Sequence, residues 1–138
     1  MIVLYDANVV LDVCANRQPF YADSARAWAC AERGAVRGIV AAISMTTIDY
    51  LIRRHSPRSD ARGVLGMIRR IAGIAPCDAG VIDLAIDSGI PDFEDAVQYF
   101  SATGAGSDVI VTRDARHFPT GSVQIMTPGE FLASFQFE

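Results

Sequence analysis

Three aspartates stand at positions from which their side chains can meet in a folded chain: Asp6, Asp95 and Asp114. Asp6 follows the apolar run Ile2–Tyr5, which is typical of a buried strand. Asp114 comes two residues after a second such run, at residues 108–112. Asp95 falls in the first turn of a predicted helix that leads toward this second strand. The sequence therefore predicts an acidic crevice built from distant parts of the chain.

Carboxylates gathered in one crevice have a definite chemistry. Three of them repel one another, and without a counter-charge at least one takes up a proton. A hard divalent cation such as Mg²⁺ or Mn²⁺ removes this conflict because it prefers oxygen ligands. Such an ion can activate water, polarise a phosphoryl group and stabilise a leaving oxygen. The pattern thus favours metal-assisted hydrolysis of a phosphodiester.

A simpler interpretation of the same residues stays open on spacing alone. An aspartate that follows a strand is also typical of a turn or a helix cap. Asp92 is well placed as an N-cap, and Asp95 would then lie where the helix dipole favours a negative charge. Asn8 has the right type and position to cap the helix that it opens.

The charged residues exclude several rival mechanisms. All 12 basic residues are arginines, and 12 of the 16 acidic residues are aspartates. A chain without lysine cannot use a Schiff base, a Walker phosphate loop or a Ser-Lys dyad. The net charge of −4 argues against a strongly basic nucleic-acid surface, although the pairs Arg53-Arg54 and Arg69-Arg70 provide local positive charge.

Length and cysteine content place the chain among compact cytoplasmic proteins. With 138 residues, 51% of them hydrophobic, it suits a single domain over residues 1–138. The three cysteines have no metal-binding spacing and are expected to be reduced thiols. Met1 leads directly into the first strand, so we expect no signal peptide, and no apolar run is long enough to span a membrane.

Strands and helices alternate along the predicted chain. Strands are expected at residues 2–5, 36–43, 73–77, 108–112 and 123–126. Helices are expected at residues 8–14, from a cap at Asp23 or Ser24 to about 33, at 44–55, from a cap at Ser59 or Asp60 to about 72, after a cap at Asp78, at 93–102, and after Thr127-Pro128. The fold class is therefore α/β, with three layers (α/β/α) around a parallel sheet of about five strands. Ligands of such sheets bind beyond the carboxyl ends of the strands, where Asp6 and Asp114 stand.

Four segments, in order and at the expected spacing, resemble the motifs of PIN-domain proteins. The resemblance spans nearly the whole chain and is strongest with small stand-alone prokaryotic members, many of which are VapC-like toxins. It also includes His117-Phe118 and the C-terminal residues 127–132. The core of the four motifs reads Asp6-Ala7-Asn8, Thr46-Thr47-Ile48-Asp49, Asp92-Phe93-Glu94-Asp95 and Thr112-Arg113-Asp114.

This resemblance implies a Mg²⁺- or Mn²⁺-dependent endoribonuclease, the toxin of a toxin–antitoxin pair. Asp6, Asp95 and Asp114 match the acidic metal-site positions, and Asn8 matches the polar residue that supports the first aspartate. Arg113, beside the site, is a candidate contact for an RNA phosphate. The implied partners are an RNA substrate, a small antitoxin that covers the site and a second copy of the chain, with no membrane.

One position departs from the family pattern. The second motif usually carries a glutamate or aspartate where this chain has Thr47. Asp49 is two residues further on, roughly 200° around a helix, and cannot replace that carboxylate without a shift in register. The chain is therefore expected to be a weakened nuclease or, alternatively, a catalytically impaired RNA- or protein-binding module. If the alignment is right, Thr47→Glu should tighten Mn²⁺ binding.

Overall fold

The computed structural model describes residues 1–135 as a parallel sheet covered by helices on both faces. The sheet has the strand order β3-β2-β1-β4-β5. All four neighbouring pairs are parallel. The strands are β1 (Ile2–Tyr5), β2 (Arg37–Ala41), β3 (Gly73–Ala75), β4 (Val109–Val111) and β5 (Gln124–Met126).

The helices connect the strands in the alternating order that the sequence predicts. A short 3₁₀ turn, Ala115–His117, follows β4. The helices are α1 (Ala7–Cys14), α2 (Tyr21–Glu32), α3 (Ala42–His55), α4 (Ala61–Ile71), α5 (Ala79–Asp87), α6 (Phe93–Gly104) and α7 (Pro128–Ser134). Within residues 1–135, no helix is long and apolar enough to cross a membrane.

Alternating side chains of the central strand divide the core into two layers. Val3 and Tyr5 face the cluster formed with α1, α2, α3, α4 and α7, whereas Leu4 faces a cluster that includes Tyr99 of α6. All three of these β1 side chains are fully buried, as expected for a strand covered on both faces. This arrangement confirms the predicted three-layer α/β/α fold with a five-stranded parallel sheet.

Local capping signals predicted several helix starts correctly. Asp60, Asp78 and Asp92 each accept a hydrogen bond from a backbone N–H in the first turn of α4, α5 and α6. Thr127 and Glu130 form a reciprocal capping box at the start of α7. These contacts satisfy N–H groups that have no partner within the helix.

The predicted starts of two helices were wrong because the serine near each predicted start hydrogen-bonds to a buried side chain instead. α2 begins at Tyr21, so Asp23 lies in its first turn and Ser24 is buried, donating a 3.1 Å hydrogen bond to Asp12. α3 begins at Ala42, directly after β2, so Ser44 lies inside the helix and is 1% exposed. Both hydroxyls satisfy buried polar partners, which a local capping pattern cannot reveal.

Candidate active site

Asp6 lies at the carboxyl end of the central strand β1, between two hydrogen-bond donors. Nε2 of Gln98 donates to its Oδ1 at 3.1 Å, and Oγ1 of Thr112 donates to its Oδ2 at 2.7 Å. Although Asp6 occupies the N-cap position of α1, its side chain makes no capping hydrogen bond. The cap interpretation therefore does not account for this residue, whose carboxylate is held by side chains from α6 and from the end of β4.

Gln98 is itself fixed by a buried partner. It is 2% exposed, and its Oε1 accepts a hydrogen bond from Oγ of Ser44 at 3.3 Å. Because its carbonyl oxygen is engaged by α3, its amide NH₂ is directed toward Asp6. Sequence reasoning missed this residue; the available signal was its spacing, since Gln98 follows Asp95 by three residues and lies on the same face of α6.

Asp95 lies in the first turn of α6, in a crowded electrostatic environment. Its backbone N–H donates to the Asp92 cap at 2.9 Å, as the sequence predicts. Burial raises the pKa of Asp95 to about 6, and repulsion by Asp92, Asp6 and Glu94 adds to the shift. His117 lowers the pKa of Asp95. Asp95 therefore faces carboxylates whose charge the surrounding side chains do not fully offset.

Asp114 is hydrogen-bonded to a neighbouring arginine. Its Oδ1 accepts from Nε of Arg116 at 3.1 Å, and this hydrogen bond is the main reason that the pKa of Asp114 is lowered. Its backbone N–H donates to Oγ1 of Thr112 at 3.3 Å. It also accepts a backbone hydrogen bond from Arg116, so part of its role is that of a cap, the alternative that spacing left open.

Two bridging side chains connect the three aspartates. Thr112 contacts both Asp6 and Asp114 through its hydroxyl. His117 places Nε2 3.2 Å from Oδ2 of Asp114 and Nδ1 3.7 Å from Oδ2 of Asp95. The three aspartates are thus connected through Thr112 and His117 near the carboxyl edge of the sheet.

The aspartates do not form a ready-made metal cage in this arrangement. In the described part of the chain, no group of three or more His, Cys, Asp or Glu side chains is placed so that it could hold one ion. The donor chemistry still fits Mg²⁺ or Mn²⁺, since carboxylate oxygens are the ligands that these ions prefer. The crowding around Asp95 is the electrostatic condition that such a cation relieves. The assignment of Asp6, Asp95 and Asp114 as metal ligands stays a prediction.

Asn8 and Arg113, the other two predicted site residues, make contacts of their own in the structure, and their predicted roles stay predictions. Asn8 is exposed on α1, and its backbone oxygen accepts from Arg17 at 3.3 Å; the observed support for Asp6 comes from Gln98 and Thr112. The Arg113 guanidinium lies 4.0 Å above the ring of Phe20. Its Nε also lies 3.2 Å from Oδ2 of Asp12, which is fully buried. The charge of Arg113 thus serves the fold, and its contact with substrate stays a prediction.

Thr47 lies on the side of α3 that faces α6. Its hydroxyl donates to Oε1 of Glu94 at 3.1 Å and is 3.4 Å from the backbone oxygen of Ile43. Asp49 pairs with Arg53 at 3.0 Å along the same helix. Asp49 is thus engaged by a basic side chain of its own helix, and the prediction that it does not replace the second-motif carboxylate stays a prediction.

The structure thus combines an α/β/α fold with acidic side chains at the carboxyl edge of a parallel sheet. Residues 2–116 match the family model described as PIN domain, and the chain belongs to that family. None of the curated proteins compared with the chain matches its sequence.

Solved structures with the same fold share little sequence with this chain. The toxin VapC20 of Mycobacterium tuberculosis, described as cleaving the sarcin–ricin loop, is 13% identical to this chain, with a TM-score of 0.68. The match covers 88% of this chain and 98% of the VapC20 chain. A toxin–antitoxin complex from Klebsiella pneumoniae contains a chain that is 15% identical, with a TM-score of 0.67 and coverages of 91% and 97%. VapBC2 of Rickettsia felis, bound to promoter DNA, is 13% identical with a TM-score of 0.65 and coverages of 91% and 97%.

Proposed function

We propose that this protein is a divalent-metal-dependent endoribonuclease that acts as the toxin of a cytoplasmic toxin–antitoxin pair. The observation that carries the proposal is the buried Asp6 carboxylate, held by Gln98 and Thr112 beside Asp95 and not used as a helix cap. Membership of the PIN family supports this activity, and the toxin–antitoxin complexes among the proteins of similar fold support the biological role.

In the proposed mechanism, the side chains of Asp6, Asp95 and Asp114 would hold Mg²⁺ or Mn²⁺. When bound, the ion supplies the positive charge that activates water and offsets the charge of the phosphodiester. Gln98 and Thr112 hold and orient the Asp6 carboxylate. Asp95 must be ionised to contribute, and it loses its proton most readily when a cation is present.

The proposed partners are those that the resemblance to PIN-domain toxins implies. The substrate is RNA, and the regulatory partner is a small antitoxin that covers the acidic crevice, with a second copy of this chain completing a homodimer. A cationic side chain is the natural group for an antitoxin to present here, since Asp95 already experiences repulsion from three neighbouring carboxylates.

The decisive experiment compares RNA cleavage by the native protein and by Asp6→Asn. Each protein is incubated with a single-stranded RNA and Mn²⁺, with and without a chelator. Asp83→Asn, an exposed aspartate on α5, serves as the matched control. The native protein and the control should cleave only in the presence of the metal, whereas Asp6→Asn should not. Equal cleavage by native protein and Asp6→Asn would show that a contaminant is responsible.

A second candidate function is binding of RNA without cleavage. The observation that favours it is Thr47, which stands where the family usually places a carboxylate. Under this alternative, the native protein binds single-stranded RNA with and without Mn²⁺ but leaves it intact. The same incubation, analysed for both retention and product length, separates the two functions.

A further inference from the structure

Phe20 is an exposed aromatic side chain to which the proposed mechanism gives no role. It is 42% exposed and belongs to none of the buried clusters formed by residues 1–135. Its backbone is nevertheless fixed, because its N–H donates to the oxygen of Arg17 at 3.1 Å and its oxygen accepts from the N–H of Ser24 at 3.1 Å. The fold thus presents a phenyl ring to solvent from a firmly held position.

One face of the Phe20 ring is covered by a cation. The guanidinium carbon of Arg113 lies 4.0 Å from the centre of the ring. Arg113 is held in turn by Asp12, which is fully buried and whose Oδ2 lies 3.2 Å from Nε of Arg113. The ring is therefore kept in one orientation before any ligand arrives, which lowers the entropy that a ligand stacking on it must lose.

A cavity with both polar and apolar walls lies beside this ring. It has a volume of about 260 Å³ and is bounded by the start of α2, by Arg113 and by the start of α7. Asp23 lines it, and within residues 1–135 the carboxylate of Asp23 makes no ion pair. Oδ2 of Asp23 lies toward Gly129, where a Cβ would be 3.4 Å away. The cavity thus combines an aromatic face with a free hydrogen-bond acceptor.

The cavity and the predicted acidic site meet at consecutive residues of one loop. Thr112 donates to Asp6, whereas the next residue, Arg113, contacts Phe20. Both residues directly follow β4. The cavity and Asp6 therefore lie on either side of one short stretch of chain, as parts of the same region of the molecule.

A nucleobase matches this combination of surfaces. Unpaired bases stack on aromatic side chains through their faces and form hydrogen bonds through their edges. Phe20 offers a flat surface for the face, and the Asp23 carboxylate offers an acceptor for the edge. A purely structural role for Phe20 predicts a buried ring, since phenylalanine is among the residues most often found in the interior.

We propose that this cavity is a subsite for one unpaired base of single-stranded RNA, which stacks on Phe20 and donates a hydrogen bond to Asp23. The inference rests on the proposed function for the choice of RNA as the ligand. It concerns a base and is separate from the phosphate contact predicted for Arg113. Cytosine should be preferred to uracil, because an ionised carboxylate accepts from the cytosine amino group and is repelled by the carbonyl that uracil carries at the same position.

The first test measures binding of single-stranded RNA to the whole protein without metal, by fluorescence anisotropy. Phe20→Leu keeps an apolar side chain but removes the ring, and should weaken binding at least about fivefold. Phe20→Trp keeps a flat ring and should bind at least as tightly as the native protein. Leu84→Ala, which shortens an exposed apolar side chain on α5, should leave the affinity unchanged. A thermal melt of each variant confirms that the fold is retained.

A fluorescent aminopurine reports the stacking directly, because its emission is quenched when it stacks. Placed in turn at successive positions of an oligonucleotide, it should be quenched on binding to the native protein and to Phe20→Trp, and much less on binding to Phe20→Leu. Quenching that persists in the leucine variant would place the base elsewhere.

A comparison of two pyrimidine oligonucleotides tests the role of Asp23. The native protein should bind oligocytidine at least about fivefold more tightly than oligouridine. Asp23→Ala should lose this preference, whereas Asp83→Asn, which also removes one exposed negative charge, should retain it. A preference that is absent from the native protein, or that survives in Asp23→Ala, would show that Asp23 is not the acceptor.

The failure of this inference is distinguishable from failure of the proposed function. If Phe20→Leu binds RNA as tightly as the native protein does, the subsite is wrong, while cleavage that depends on Asp6 and Mn²⁺ still supports the nuclease. If the ring is needed for binding but no RNA is cleaved, the subsite stands and the nuclease is wrong. If the native protein binds no single-stranded RNA, the subsite is overturned together with RNA as the ligand.

Discussion

The hydroxyl of Thr112 donates a 2.7 Å hydrogen bond to the buried carboxylate of Asp6, although 106 residues separate the two in the chain. They meet because β4 lies beside β1 in the sheet, and the backbone N–H of Asp6 continues the pairing by donating to Val111 at 2.9 Å. The hydroxyl of Thr112 also accepts from the backbone N–H of Asp114. One side chain thus fixes the relative positions of two acidic residues.

Replacing this hydroxyl should therefore destabilise the metal-free protein. Thr112→Val leaves Asp6, which is 8% exposed, with one fewer donor, and should lower the free energy of unfolding by about 1–3 kcal/mol. Thr112→Ser keeps the hydroxyl and should be destabilised less. Urea denaturation of the three proteins measures the difference. Equal stability of the valine and native proteins would show that the hydrogen bond contributes nothing net.

The raised pKa of Asp95 predicts a pH dependence of stability in the absence of metal. The unfolded chain ionises Asp95 near 3.8, whereas the folded chain does so at about 6. The folded state therefore binds the proton more tightly, so this contribution is complete below pH 4 and is lost as the pH rises through 6. Its size is on the order of 1 kcal/mol after screening at a partly exposed side chain.

Thermal melts between pH 5 and pH 7.5, with a chelator present, test this expectation. The native protein should lose stability over this range from Asp95, and Asp95→Asn should show a flatter profile. Asp83→Asn should follow the native profile because it leaves the crevice unchanged. A native slope that persists in Asp95→Asn would assign the pH dependence to another group.

Arg113 is expected to contribute to stability through its ion pair with Asp12, and this contribution is measured separately from contact with RNA. It and Arg17 both pair with Asp12, whose side chain is fully buried. Arg113→Met leaves that charge with one cation and should cost about 2–3 kcal/mol in urea denaturation. A variant of native stability that no longer binds RNA would instead support the substrate contact implied by the family pattern.

Half of the arginines lie in one segment of this acidic chain, and we expect that segment to contact RNA. All six arginines within residues 53–70 are exposed, in α3, α4 and the loop between them. Changing Arg54, Arg58 and Arg62 to glutamine should weaken metal-free binding of single-stranded RNA. The slope of log affinity against log salt should become shallower by about 0.7 for each RNA phosphate that an arginine no longer neutralises.

The matched control changes three exposed arginines outside this segment, Arg26, Arg33 and Arg37, to glutamine. Both triple variants remove the same positive charge, so a general electrostatic effect would weaken RNA binding equally. A larger decrease in affinity for the α3–α4 variant, measured by fluorescence anisotropy over a salt series, locates the RNA-binding surface. Equal decreases would exclude a localised surface.

The strands and most helices were predictable because their signals are local. Apolar runs marked β1 and β4, and capping residues such as Asp60, Asp78 and Asp92 marked helix starts. The predicted starts of α2 and α3 were wrong because Ser24 and Ser44 bond to distant buried side chains. A sequence does not distinguish a hydroxyl that caps a helix from one that hydrogen-bonds to a buried polar side chain.

The sequence by itself determined the fold class and the family, and it is the source of the prediction that Asp6, Asp95 and Asp114 form the site, since these depend on residue type and order along the chain. Only the tertiary structure decided how those residues are supported. The strand order places Thr112 beside Asp6, while the packing of α3 on α6 brings Ser44 to Gln98 and Thr47 to Glu94. Such partners are separated by tens of residues, and a hydrogen bond depends on distance in space, which local sequence patterns do not encode.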